Sequence, residues 1–196
     1  MSAINNAGIF LVQTLVGFFL LILLLRLLLQ WARADFYNPI VQALVKITQP
    51  FIVILQPLLP TIAHINLAVL SLAISVQLLI MVAVLLLYQY ALPSLFQLLA
   101  WSLVGLLSQI MDIYFFAILV TIILSWLAPN SFHPGALLLR QLTEPVLAKA
   151  RRMLPAFGGL DFSPILIFIA INLVDMLIIQ KLVTILAMPV GIVPGL

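Results

Sequence analysis

Asn172 and Asp175 stand three residues apart inside SPILIFIAINLVDMLIIQKLV, a stretch that is otherwise almost wholly apolar. Three residues is close to one helical turn, so a helix puts the amide and the carboxyl on one side. A carboxyl group at membrane depth is a functional candidate, because lipid cannot solvate it. Gln77, in the run that begins near residue 67, sets a third polar group at a similar depth. Two arrangements are open. The two amides and a protonated Asp175 bridge packed helices, or Asn172, Asp175 and Gln77 line a small polar site for a cation or a proton.

A second constellation lies upstream, in LTEPVLAKARRMLPAFGGLDFSPI. Four of the eight Lys and Arg residues fall between Arg140 and Arg152, and Glu144 and Asp161 supply two of the five acids. Ser163 precedes Pro164, and a residue before proline is pushed out of helical geometry. Ser163 and Asp161 therefore compete to cap the helix that follows. Free N–H groups at such a helix start, together with Arg151 and Arg152, are the parts of an anion site. The alternative is a turn, a cap and contacts with lipid headgroups.

The remaining chemistry is sparse. Asp112 and Lys181 are expected near the outer boundary, paired or sharing interfacial water. Arg26 lies five positions before Trp31 and can extend to the interface. His64 and His133 map to the inner interface, where ordinary hydrogen bonding and paired-imidazole ligation are both open. Cysteine is absent, which removes disulfides, thiolate catalysis and Cys-based metal sites. No nucleophile–base pair, zinc-protease motif, phosphate loop or paired carboxylates occur. The expectation is a non-enzymatic protein with no cofactor and no catalytic or metal site.

These residues are held by a chain of 196 residues that is 66% hydrophobic and only 7% charged. A soluble domain carries about 25% charged residues, so this mixture cannot make a water-facing surface. Apolar runs at about 8–31, 67–90, 104–128 and 163–187 each reach the length of roughly 20 residues that a bilayer-spanning helix needs. The first run, within MSAINNAGIFLVQTLVGFFLLILLL, has no basic leader and no small-residue cleavage site, so it reads as a retained span.

The chain also aligns with itself at an offset of 95 residues. Trp31 matches Trp126, Pro39 matches Pro134, Thr48 matches Thr143, Pro50 matches Pro145, and Pro60 matches Pro155. The expected fold is all-α integral membrane: four transmembrane helices as two parallel helix-hairpin repeats, each with a cytoplasmic amphipathic or interfacial helical segment. It forms one membrane domain over 1–196, with repeat one at 9–90, a linker at 91–103 and repeat two at 104–188. The linker reads either as an interfacial segment or as an extension of the third span.

Basic residues follow the first and third spans and are absent from the linker and the first 25 positions. Positive-inside logic puts both polar segments on the cytoplasmic side and both termini outside. In EPVLAKARRMLP, Pro145 suits a first helical turn, with Thr143 or Glu144 as cap. Val146, Leu147, Ala150, Met153 and Leu154 then share one face, and Lys149, Arg151 and Arg152 point elsewhere, making a short interfacial helix. Its counterpart, QPFIVILQPLLP, is uncharged and should sit deeper. Gly158 and Gly159 permit a tight turn into the last span. The partners these features imply are anionic headgroups of the bilayer and copies of the chain or other membrane proteins; nothing points to nucleic acid.

Two copies of an apolar helix, a Trp, a Thr-x-Pro element and a Pro, the second ending RRMLPAFGGLDFSPI, resemble the YggT/YlmG family of integral membrane proteins in its two-repeat bacterial form. The first copy departs from the pattern, with PTIAHINLAV in place of the Gly-Gly-Leu-Asp-Phe-Ser-Pro element. The resemblance implies a small inner-membrane or plastid-membrane protein without established catalytic chemistry, and for this two-repeat form the bacterial inner membrane. It implies a part in ion homeostasis and osmotic stress resistance, or a role as a scaffold or assembly factor for other membrane complexes.

Overall fold

The structure is a computed structural model that describes residues 3–128, 131–153, 161–189 and 191–193. It is helical, apart from one two-stranded hairpin. The order is α1 (Ala3–Trp31), α2 (Pro39–Ile52), β1 (Thr61–Ile62), β2 (Ile65–Asn66), α3 (Leu67–Leu87), α4 (Leu95–Leu127), α5 (Pro134–Met153), α6 (Ser163–Val174), a π-helical turn at Asp175–Ile179, and α7 (Gln180–Ile185). Four helices are long and apolar enough to cross a membrane: Asn6–Trp31, Leu67–Leu87, Leu95–Leu127 and the continuous Ser163–Ile185.

The first repeat folds as α1–α2–α3. Helices α1 and α3 pack along their length, burying Leu20, Leu23 and Leu24 against Ala73, Ile80, Met81 and Val84. In the second repeat α4 and α6 touch far less, and Phe115 meets Phe168 at 5.0 Å between ring centroids. The difference is large: buried residues make up 44% of the apolar window of α3 but 6% of that of the fourth span.

The two short helices α2 and α5 begin one repeat apart, at Pro39 and Pro134, where a proline's fixed φ suits the first helical position. Asn38 caps α2, its Oδ1 accepting the Ile40 N–H at 2.9 Å. His133 does the same for α5, its Nδ1 accepting the Gly135 N–H at 3.2 Å. Each helix buries one face: Val41, Thr48 and Ile52 in α2, and their repeat equivalents Ala136, Thr143 and Leu147 in α5.

Pro145 therefore does not begin a helix, and neither Thr143 nor Glu144 is a cap; both Pro50 and Pro145 lie inside longer helices. A proline inside a helix costs about 3 kcal/mol, which is why the sequence points to a start there. The apolar face running on both sides of the proline offsets that cost. The threonine two residues earlier turns its hydroxyl back onto the helix, Thr48 to the Leu44 carbonyl at 2.6 Å and Thr143 to the Leu139 carbonyl at 2.9 Å, a bond that accommodates a bend.

Ile52, the last residue of α2, is fully buried; beyond it Leu55 and Leu59 pack on the main core, while Ile54 and Leu58 are exposed. The chain then turns through the β1–β2 hairpin, whose two central residues, Ala63 and His64, have φ of 49° and 69°. A two-residue hairpin loop of this hand needs two positive φ values. The first repeat thus makes its turn without glycine, and His64 Nε2 is held by the Arg33 guanidinium. The glycine turn expected at Gly158 and Gly159, with Leu154 and Pro155, lies outside the described residues.

The linker resolves into a short segment and the start of α4. Ser94 and Gln97 form a reciprocal capping box, so residues 95–103 are helical. Buried Trp101 donates its indole N–H to the Leu186 carbonyl at 3.1 Å, which ties the start of α4 to the end of the last span.

Candidate functional site

The polar residues gather in two cavities that are copies of each other. The second-repeat cavity, of ≈ 660 Å³, is lined by Thr121, Ser125, Arg140, Glu144, Arg151 and Asp161, among others. The first-repeat cavity, of ≈ 430 Å³, is lined by Arg26, Gln30, Val45, Gln49 and Asn66, with apolar neighbours. Five pairs of lining residues stand 95 positions apart: Arg26 and Thr121, Gln30 and Ser125, Val45 and Arg140, Gln49 and Glu144, Asn66 and Asp161.

In the second cavity Arg151 is a strap. It donates to both oxygens of Glu144, at 2.8 and 3.2 Å, and through Nε to Asp161 at 3.1 Å. Asp161 Oδ1 also accepts the Ser163 N–H at 2.9 Å. Burial works to raise the Asp161 carboxyl, but the hydrogen bonds from Ser163 and the Arg151 charge outweigh it and hold it below the usual carboxylate range. The hydrogen bond to Glu144 raises Arg151 further above its ordinary value, against a lesser effect of burial.

The anion site expected from Arg151, Arg152, Asp161 and Ser163 is therefore already occupied by the chain's own acids. Arg151 faces two carboxylates, and Asp161 takes the first free N–H of the helix. Arg152 is exposed on α5. Neither Asp161 nor Ser163 is the helix cap: that position is Phe162, which has no side-chain cap bond, while Asp161 accepts the Ser163 N–H from one residue before it and Ser163 is buried.

In the first cavity the cation comes from a membrane span. Arg26 does not extend outward; it donates to Thr48 Oγ1 at 2.6 Å and to Gln49 Oε1 at 2.9 Å, linking α1 to α2. Gln49 passes the link on, donating to Gln56 Oε1 at 3.2 Å. Gln49 and Gln56 are the repeat equivalents of Glu144 and Arg151, so an amide pair stands where the second repeat has an ion pair.

The intramembrane polar residues do not converge. Gln77 is fully buried and accepts from Gln109 Nε2 at 3.2 Å, a partner 32 positions away on α4. Asn172 is exposed and donates to the Phe168 carbonyl of its own helix at 2.8 Å. Asp175 accepts from Gln180 Nε2 at 2.9 Å. Five residues would put the two side chains about 140° apart on an α-helix; the π-helical turn brings them together.

The expected pair of Asp112 and Lys181 is not formed: among the described residues, ion pairs join only Arg151 to Glu144 and Asp161. Because α4 starts at Leu95, Asp112 sits near its midpoint rather than near its end. Asp112 also lines a ≈ 540 Å³ groove between α1 and α4, where Gly17, Leu21 and Leu25 face their own repeat equivalents Asp112, Phe116 and Val120. The repeats meet again at Asn38, whose Nδ2 donates to the Pro134 carbonyl at 2.8 Å.

His64 and His133 have different neighbours, Arg33 for one and the α5 start for the other, so they do not form a paired-imidazole site. Among the described residues no group of three His, Asp or Glu side chains is placed to hold a metal ion.

Comparison with known proteins agrees with the internal symmetry. The CCB3/YggT family model matches the chain twice, over residues 5–87 and 100–182, and the bounds of the two matches stand in the same register of 95. The uncharacterised protein PA0392 of Pseudomonas aeruginosa is 45% identical over 190 residues, covering 96% of each chain. The uncharacterised protein YggT of Escherichia coli K12 is 35% identical over 175 residues, covering 87% of this chain and 88% of that one. The uncharacterised protein ycf19 of Galdieria sulphuraria is 32% identical over 71 residues, 36% of this chain and 72% of that one. No solved structure matches. With a family match over both halves and relatives aligned along nearly the whole length, the chain belongs to the CCB3/YggT family.

Proposed function

We propose that this protein is a non-catalytic subunit of a bacterial inner-membrane assembly, built with copies of itself or with other membrane proteins. The observation that carries the reading is the fourth span. It is the least covered of the four, yet it carries Asn172, Asp175, Gln180, Lys181 and Thr184, all but Asp175 exposed. Ionisable and amide side chains in a span face protein or water rather than acyl chains. A face that is both bare and polar therefore belongs against another protein.

A cysteine-free chain makes the test clean. A single Met176→Cys substitution on this face, crosslinked in intact membranes, is expected to give a defined dimer or a defined heteromeric band. Monomer alone, at a crosslinking efficiency that traps a known membrane dimer, would count against it.

A second reading, ion balance under osmotic stress, is favoured by the packing of the π-helical turn that carries Asp175 against α4, the helix that carries Asp112. In an assembly, these carboxyls with Asn172 would line a path for a cation or proton. Proteoliposome flux that disappears in Asp175→Asn supports that reading. Flux equal in the two proteins rejects it while leaving the assembly reading standing.

A further inference from the structure

The two matched cavities differ in the balance of charge, and the difference marks a site. In the second repeat the guanidinium of Arg151 meets Glu144 and Asp161. In the first, both equivalent positions are amides, Gln49 and Asn66. Arg26 is half-buried and its acceptors are neutral. All five acids of the chain lie among the described residues, and none forms an ion pair with Arg26. A partly buried cation without a counter-ion is unfavourable, and the first cavity is the place where the missing charge fits.

We propose that the first-repeat cavity binds a phosphate-bearing anion, with Arg26 supplying the charge and the amides of Gln30 and Asn66 lining the rest of the site. Arg26 donates through Nη1 to Thr48 and to the Val45 carbonyl and through Nη2 to Gln49, which leaves Nε and one N–H of Nη2 in its planar fork for phosphate oxygens. Gln30, one turn further along α1, lines the cavity; among the described residues its side-chain amide makes no hydrogen bond, while its backbone carbonyl accepts the Arg33 N–H. Arg26 is five residues to the membrane side of Trp31, about 7 Å along the helix, so it sits just inside the hydrocarbon edge, where a long cationic side chain reaches the headgroup layer. A lipid phosphate can therefore reach the cavity from the bilayer, and a free phosphate ion can reach it from water.

The site would be the charge counterpart of the strap. The second repeat carries its own anion as Glu144 and Asp161; the first takes one from outside. This predicts that supplying the carboxylate internally will close the site, and Gln49→Glu places it where Glu144 stands.

The test uses the full chain purified in a phosphate-free maltoside detergent, with lipid binding read by native mass spectrometry. The probes are phosphatidylglycerol and inorganic phosphate. Wild type should retain one phosphatidylglycerol per chain, and Gln49→Glu and Arg26→Gln should each weaken retention about tenfold or more, the loss of a charge-assisted bidentate contact. Glu144→Gln, in the other cavity, should leave it unchanged. Displacement of the lipid by millimolar inorganic phosphate would assign the site to free phosphate as well, and retention against it would assign the site to a headgroup. Thermal melts identify any variant that fails to fold; Gln49→Glu keeps every partner of Arg26, so it decides the matter alone if Arg26→Gln is unstable. Retention by Gln49→Glu equal to wild type, or no retention by wild type, overturns the proposal.

Discussion

Position 49 in the first repeat and position 144 in the second both receive an arginine, and the two arginines come from different places. Arg26 reaches Gln49 from within a membrane span. Arg151 reaches Glu144 from one helical segment of the polar end and goes on to Asp161. The skeleton around them is shared: a proline at the helix start, a buried threonine bonded back to its own helix, a proline two residues later. What differs is the source of the cation and whether an acid meets it. A duplicated fold can keep the geometry of a site and change its charge by moving one arginine from the loop side to a span. The repeats differ in cover as well: α3 in the first is the most buried of the four spans, and the fourth span, in the second, is the least.

The comparison breaks most severely at Arg26. Arg26→Ala removes the guanidinium's three hydrogen bonds to α2, at Val45, Thr48 and Gln49, and should lower stability by about 2–3 kcal/mol, the range for hydrogen bonds made by a charged group, read as a drop in unfolding midpoint in detergent. A loss below that of Arg151→Ala would show that the two arginines have exchanged importance.

The next largest effect should fall on the helix caps. Asn38→Ala loses a cap and the bond to the Pro134 carbonyl, and about 1–2 kcal/mol is expected. His133→Ala loses only the exposed equivalent and should cost about 0.5 kcal/mol. Equal losses at the two positions would mean that the cross-repeat bond contributes nothing.

Arg151→Ala should cost about 0.5 kcal/mol, because the arginine and both acids are substantially exposed and water screens the pairs. Its clearer mark is on titration. The Asp161 carboxyl is held below its ordinary value of about 3.9, so the strap contributes stability above that pH and loses it as pH falls through the depressed folded value. A carboxyl-carbon titration of Asp161 by NMR should show a midpoint below the ordinary value in wild type. That midpoint should move up in Arg151→Ala, where burial remains and the guanidinium is gone.

Much of this frame is legible in the sequence, since apolar runs of spanning length and a gap-free offset of 95 depend only on residue type and spacing. The site was less so, for identifiable reasons. Arg26 looked like a side chain bound for the interface because its acceptors, Thr48 and Gln49, lie 22 and 23 positions on in a segment whose helix start was misplaced. The prolines at 50 and 145 carry that error: proline is a strong breaker in a propensity argument, and only the packed face on either side of it overrides the rule. Asp175 and Gln180 could not be paired from sequence, because five residues share a face only in a π-helical turn. Sequence places Asp112 near the end of its span, and the structure near the middle, because Ser94, within the charge-free linker, marks where α4 begins. The offset itself held the signal for the two cavities: Gln49 with Glu144 and Asn66 with Asp161 are amide-for-acid exchanges at matched positions.

The fourth span bears the functional account. Met176 is exposed at 61% on the face that carries Asn172, Asp175 and Gln180, and the chain has no cysteine to compete with a label. A nitroxide attached at Met176→Cys, in membranes at native protein density, reports collisions with dissolved oxygen, which is abundant among acyl chains and scarce between packed helices. The account predicts an accessibility well below that of a label at the same depth on a lone spanning helix. An accessibility equal to that reference would mean that lipid covers the face, and it would contradict the proposal that this protein works as part of an assembly.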